Sequence, residues 1–419
     1  MIEIRTPQFW RSTLALSLGS FMVFANIYTT QPMLPQLSEQ FAVSPLVASW
    51  SLSLTTLMLA CSLLIYGPLS DAIGRRGLML GSLAGVLLLT LGLGFVEEFQ
   101  TLLWLRVAQG FLLGGLPAIA IAYMGDEYSK PALGIAVGIY ISGNTLGGIG
   151  GRLIGGFMTD LAGWQSAFWV MSGISLLCLL LLIWLLPPSR HFTPKPFRLG
   201  AVLGDMASHL RNPVLLLAYL IGGLNFFIFI NQYSYVTFLL SADPYLLSAS
   251  FLGMLFLCYL SGTFASALSG RVAQRLAQPL CMLLGIGMFI SGTLVTLIPS
   301  LWAILAGLLI NSFGFFFCHS MASSWVSHNA RFARGSASSL YLVFYYVGAS
   351  CGGFYLEPFW QSAGWQGVVL GSLLVLALTA AMALKLWLMW RTGEGAAVEG
   401  AALRGSKTEV GQQRCSIAR

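Results

Sequence analysis

Charge is what this sequence has least of. Only 8% of its 419 residues are Asp, Glu, Lys or Arg while 57% are hydrophobic, against roughly 25% charged in soluble domains. Such a chain has too few polar groups to cover a globular surface, so it reads as an integral membrane protein. Catalytic signatures are missing as well. There is no H-E-x-x-H and no P-loop, and no carboxylate lies deep within an apolar run. The single G-x-S-x-G match, Gly348 to Gly352, falls inside an apolar run rather than on a strand-turn-helix elbow. The seven cysteines are scattered singly without C-x-x-C, which argues against a disulfide framework, a zinc or other metal site. No enzyme and no cofactor is expected. Arg5 and Arg11 precede an apolar segment that lacks a small-x-small cleavage site, so it reads as a retained first span.

What is present is a series of apolar windows, each about 20 residues long as a bilayer requires. They run Thr13 to Gln31, Leu46 to Tyr66, Leu78 to Val96, Thr101 to Met124, Leu133 to Met158, Gln165 to Leu186, Val214 to Leu239, Leu246 to Leu268, Pro279 to Ile298, Leu301 to Trp325, Ser336 to Leu356 and Trp365 to Trp390. An even number of spans puts both termini on one side. The net charge of +7 then stops looking like a nucleic-acid signal: all but two of the 21 Lys and Arg fall on the terminal side, whereas Glu39, Glu97, Glu98, Asp160, Asp243 and Glu357 fall on the other. The positive-inside rule makes the termini cytoplasmic.

The stretch 188–212 holds several prolines and cations and reads as a cytoplasmic linker between a six-helix half, 1–187, and a second, 213–391. Residues 392–419, rich in Gly, Ala and charge, read as a disordered cytoplasmic tail. The halves resemble each other at an offset near 201: Gly163-Trp164-Gln165 matches Gly364-Trp365-Gln366, and Gln31 matches Gln232. Paired repeats with a site at their interface suit an alternating-access transporter.

Between the second and third runs lies Gly67-Pro-Leu-Ser-Asp71-Ala-Ile-Gly74-Arg75-Arg76-Gly77, which reads as a short polar loop. Its echo in the second half has Gly270 where Asp71 stands. Leu102-x-x-x-Arg106-x-x-Gln109-Gly110 follows in the fourth run, and Gly143-Asn144-Thr145-Leu146-Gly147-Gly148 in the fifth. With these motifs the chain resembles the major facilitator superfamily, and within it the bacterial inner-membrane efflux members. Asn144 stands where that branch usually has proline.

The resemblance implies an all-α membrane protein of twelve transmembrane helices in two pseudo-symmetric halves. It implies a secondary active transporter of the bacterial inner membrane, moving a small solute by alternating access, with proton-coupled efflux. Uptake of a small organic anion by symport, or a transport-incompetent sensor, are the alternatives. Its partners would be the solute, protons and the lipid bilayer, with no nucleic acid, and it would act as a monomer. Gly67, Asp71, Gly74, Arg75 and Arg76 would form a latch on the cytoplasmic side.

Arg106 and Arg152 are the two cations missing from the loops, and a charge inside a bilayer needs a partner or an aqueous cavity. Each either faces solute and proton chemistry or braces helices through backbone carbonyls. Because spans 1, 4, 7 and 10 line the cavity of the resembled family, Asn26, Gln31, Arg106, Gln232 and Tyr345 are expected to line it here, together with Arg152. Gly143, Gly147, Gly151 and Gly155 recur every fourth residue, a spacing that lets two helix backbones approach closely. Asp71, Asp126, Asp160 and His319 are the candidate proton carriers, of which His319 has the most convenient ordinary pKa.

Overall fold

The computed structural model describes residues 1–392 apart from 195 and 198, so most of the expected tail lies outside the described residues. Ten apolar helices come first: α1 (Pro7–Tyr28), α2 (Pro45–Ile73), α3 (Arg75–Leu93), α4 (Phe99–Glu127), α5 (Lys130–Ala162), α6 (Trp164–Leu185), α7 (Pro213–Ser241), α8 (Ala249–Val272), α9 (Gln278–Val295) and α10 (Leu301–Asn329). The last run, Arg334–Thr392, leaves helical geometry at Ala363 (φ −146°) and Gly364 (φ 54°). It is therefore two spans, α11 (334–362) and α12 (365–392). Twelve spans in two six-helix halves result, as the sequence leads one to expect.

Local chemistry fixes several helix ends. Thr6-Pro7, Ser44-Pro45 and Asn212-Pro213 each place a capping oxygen before a proline, and their side chains accept from Phe9 N, Val47 N and Val214 N. Proline at that position loses no helical hydrogen bond and has the right φ already. At the other end of α1, Pro32 cannot continue the ladder and disfavours helix in the residue before it. The helix accordingly stops at Tyr28, and a 3₁₀ turn, Gln31–Met33, carries the chain round. Single glycines in the left-handed φ region join α2 to α3 (Gly74, φ 107°) and α5 to α6 (Gly163, φ 81°).

The glycine stripe of α5 lies against α1. A Cβ added at Gly143, Gly147, Gly151 or Gly155 would land on the carbonyl oxygens of Ser17, Phe21, Ala25 and Thr29 in turn, each four residues after the last. The second half repeats the arrangement, with Gly348 and Gly352 of α11 on the carbonyls of Gly223 and Phe227 of α7. Small residues here let the backbones meet where side chains would hold them apart.

Within the expected linker lies a short helix, Leu199–Leu210. Its Met206 and Val202 join the apolar cluster of the second half beside Leu215, Ala330 and Ala337. Its His209 is buried and stacked on Phe332 at 4.6 Å between ring centroids.

Hydrogen bonds between the halves gather in the half of the bundle remote from the termini, the far half. Thr56 bonds Ser350 at 2.9 Å, Gln31 reaches α7, and the Asp160 carboxylate accepts from Ala249 N at 3.1 Å and Ser250 N at 2.8 Å. There too, Gly156 meets the Ala249 carbonyl and Gly253 that of Arg152. Toward the terminal face, Gly67, Gly134, Gly270 and Gly335 of the same four helices α2, α5, α8 and α11 have nothing within 4 Å of an added Cβ.

Candidate functional site

Three of the polar assemblies inside the apolar bundle hold the residues singled out in the sequence. In the first half, Arg106 is 0% exposed. Its Nη1 donates to Asn26 O at 2.9 Å, Nη2 to Ile27 O at 2.7 Å and Nε to Ser51 O at 2.8 Å, and Nη1 also reaches Gln109 Oε1 at 2.5 Å. Two of these acceptors belong to the last turn of α1, whose carbonyls lose helical partners once Pro32 breaks the ladder. Arg106 thus caps α1 from α4. The Asn26 side chain closes the same network: Oδ1 accepts from Thr90 Oγ1 at 2.7 Å and Gln109 Nε2 at 3.3 Å, and Nδ2 donates to Ser175 Oγ at 3.0 Å. Both residues, expected to line a cavity, make these bonds to groups of their own half.

The second half carries the counterpart. Gln232 Oε1 accepts from Asn311 Nδ2 at 2.7 Å, and its Nε2 donates to Thr293 Oγ1 at 3.3 Å. Gln232, Thr293 and Asn311 come from α7, α9 and α10 as Asn26, Thr90 and Gln109 come from α1, α3 and α4. Gln232 therefore also sits within its own half.

The third assembly lies on the seam. Arg152 of α5 is 1% exposed. Its Nε donates to Gln31 Oε1 at 2.9 Å and its Nη1 to Gly148 O at 2.8 Å. Its guanidinium carbon lies 3.9 Å from the ring centre of Tyr28 in the same half, and 4.2 and 4.9 Å from Phe256 and Tyr259 of α8 in the other. Tyr345, half-buried, stacks on Phe226 at 3.7 Å and lies 4.7 Å from the His319 ring. His319 Nδ1 in turn pairs with the Tyr341 hydroxyl at 2.9 Å. Of the residues expected at the cavity, Gln31, Arg152 and Tyr345 come to the seam.

The stretch from Gly67 to Gly77 is less of a loop than expected. α2 runs through Pro68 to Ile73, and Gly74 alone makes the turn. Arg75 pairs with Asp71 at 3.0 Å and with Asp126 of α4, all within the first half. Arg76 donates to Leu186 O and Ile183 O, both at 2.9 Å, and so caps the C-terminus of α6. Thr90, Ser51, Thr293, Phe256 and Tyr259 went unnoticed in the sequence. A usable signal existed for Phe256 and Tyr259, which fall on one helix face three residues apart.

A family model described as Major Facilitator Superfamily matches residues 16–353. The chain belongs to the Major Facilitator Superfamily. It is 39% identical to an uncharacterized MFS-type transporter, YybF of Bacillus subtilis (strain 168), over 364 residues, covering 87% of this chain and 90% of the relative. It is 39% identical to the inner membrane transport protein YnfM of Escherichia coli (strain K12) over 381 residues, covering 91% of each. The fold matches a bacterial homolog of the human lysosomal transporter Spinster, solved inward-facing and unoccupied, with a TM-score of 0.70 at 17% identity, over 95% of this chain and 98% of that one. This superfamily member is a multi-pass membrane transporter, and these three polar assemblies are to be read as parts of one.

Proposed function

We propose that the protein exports a small solute across the bacterial inner membrane by alternating access, in exchange for protons. One observation carries the reading. The halves are tied in the far half of the bundle, while glycines of the same four helices face open space toward the termini. With the cation-rich terminal face in the cytoplasm, this is the inward-open stage of a cycle, and rocking the halves about the seam gives the other stage. The glycine stripe along α1 and α5 supports export through its likeness to the motif of exporters.

Arg106, Asn26 and Gln232 keep each half stiff, while Gln31, Arg152 and Tyr345 meet the solute. Asp71, Arg75 and Asp126 form the cytoplasmic latch, whose charges pair within the first half while that side stands open. His319, bonded to Tyr341 beside Tyr345, carries the proton. The test is flux in proteoliposomes with and without an outward-directed proton gradient, the lumen being the acidic side, over a panel of small anions, sugars and lipophilic cations. Gradient-driven accumulation is expected, with the gradient dissipating as solute moves. Flux indifferent to the gradient refutes proton exchange.

A further inference from the structure

The two buried arginines of this protein are in opposite conditions. Every nitrogen of the Arg106 guanidinium donates to an acceptor. Arg152, equally buried, has an Nη2 with no partner, and the Tyr259 hydroxyl in the same aromatic cage has none either. Among the described residues no carboxylate lies within ion-pair distance of Arg152. A buried cation with an unanswered N–H is destabilising, and aromatic faces return only part of that loss. Helix bracing, the role Arg106 fulfils, does not explain an arginine held this way.

The cage is also built to come apart. Phe256 and Tyr259 belong to the other half from Arg152, so two of the three walls leave when α5 and α8 separate. Phe256 lies in a 3₁₀ stretch, Leu255–Cys258, that interrupts α8 beside the guanidinium. Such mid-helix tightening marks places where a helix yields. Gln31, which holds Nε, is itself tied to α7 across the seam.

We propose that Arg152 Nη2 and the Tyr259 hydroxyl form the binding site for the single carboxylate group of the transported solute, a monocarboxylate with an aromatic body. This deepens the transport reading above and rests on it. One free cation suits one negative charge, since the charge of Arg106 is already directed at backbone carbonyls. A phosphate ester, near −2 at neutral pH, would be half neutralised. The walls are rings, Tyr28, Phe256 and Tyr259, which suit a flat apolar body. In the empty state the rings stand in for the carboxylate, and the arginine exchanges one for the other as the halves move.

The experiment is calorimetric binding of benzoate, benzyl alcohol and benzylamine to the purified full-length protein in detergent. Benzoate is expected to bind at least tenfold more tightly than the other two. R152M is expected to lose that preference with a melting temperature no lower than wild type, and Y259F to weaken benzoate binding by about threefold or more. Equal binding of benzoate and benzyl alcohol to the wild type overturns the proposal, as does R152M that keeps the preference. Should R152M fail to fold, the comparison of the three ligands on wild type still decides. Counterflow in proteoliposomes separates this site from the transport reading. Benzoate counterflow that survives undiminished in R152M keeps transport and removes the carboxylate site, whereas selective benzoate binding without counterflow of benzoate keeps the site and removes transport.

Discussion

Gln31 accepts a hydrogen bond from Arg152 Nε at 2.9 Å and gives two of its own across the seam, to Ile230 O at 3.2 Å and Ser234 Oγ at 3.1 Å. One amide therefore joins α5 to α7 through the end of α1. Leucine at this position keeps the volume and removes all three bonds. Q31L is expected to increase exchange between the two stages of the cycle and to favour opening of the far face, read as a longer distance between spin labels placed on α5 and α8 near that face. An unchanged distance distribution refutes the tie.

Arg106 should behave quite differently from Arg152. R106M strips donors from Asn26 O and Ile27 O at the broken end of α1, and each unsatisfied buried carbonyl costs about 1–3 kcal/mol. A clear fall in melting temperature in detergent is expected, with lysine rescuing only part of it because one ammonium cannot reach three separated carbonyls. Wild-type stability in R106M would show that water or neighbouring hydroxyls replace the guanidinium.

Acids at opposite ends of α2 and α5 predict opposite kinetic faults. Asp160 receives Ala249 N and Ser250 N at the start of α8, where a negative charge also meets the positive end of the helix dipole. D160N keeps an acceptor but loses the charge, so the far face should open more readily, by a factor of about 3 in population at low ionic strength. D71N removes one of the two acids on Arg75 and is expected to slow turnover with solute binding intact. Stopped-flow transport together with equilibrium binding separates the two. Normal turnover in D71N counts against the latch.

Bulk at the α1–α5 contact should stop transport. G147L drives a side chain into the Phe21 backbone, and G352L does the same against Phe227 in the other half. Both are expected to insert into membranes and show no flux. G134L, with nothing within 4 Å, serves as the permissive control and should transport normally.

The linker helix carries a pH dependence. Burial lowers the pKa of His209 below its ordinary 6.5, against the opposing pull of Asp205. The docked state therefore holds the neutral ring, stacked on Phe332, while the undocked one takes up a proton more readily. Docking is at full strength above pH 6.5 and weakens as the pH falls below it. Amide exchange in Leu199–Leu210 is expected to be faster at pH 5 than at pH 7.5 after correction for intrinsic rates, and H209F to remove the difference. Exchange equal at both pH values in wild type would discount the histidine.

The spans were legible because a bilayer demands length and apolarity, and both are written plainly in the chain. Arg106 and Arg152 stood out because neither belongs to a loop. Their different fates were not legible, since the acceptors of Arg106 are backbone carbonyls, which every residue possesses. What distinguishes them is that Pro32 frees the end of α1 next to α4, a relation of packing rather than of sequence. Phe256 and Tyr259 were hidden by number, being two among many aromatics. The linker helix escaped because a short amphipathic segment among prolines lacks the long run that marks a span. In Gly67 to Gly77 the polarity was visible, but only Gly74 leaves the helix, because membrane helices run on through an isolated proline such as Pro68.

Gly163 joins α5 to α6, and Gly364 joins α11 to α12, at the face remote from the termini. A joint of one or two residues has no slack. Any tilt of α5 must drag the adjoining end of α6 with it, and α12 must follow α11 in the same way. Those rims can pivot but cannot stretch, which leaves no room there for an inserted epitope or cleavage site. Handles for following the motion belong on the helix flanks.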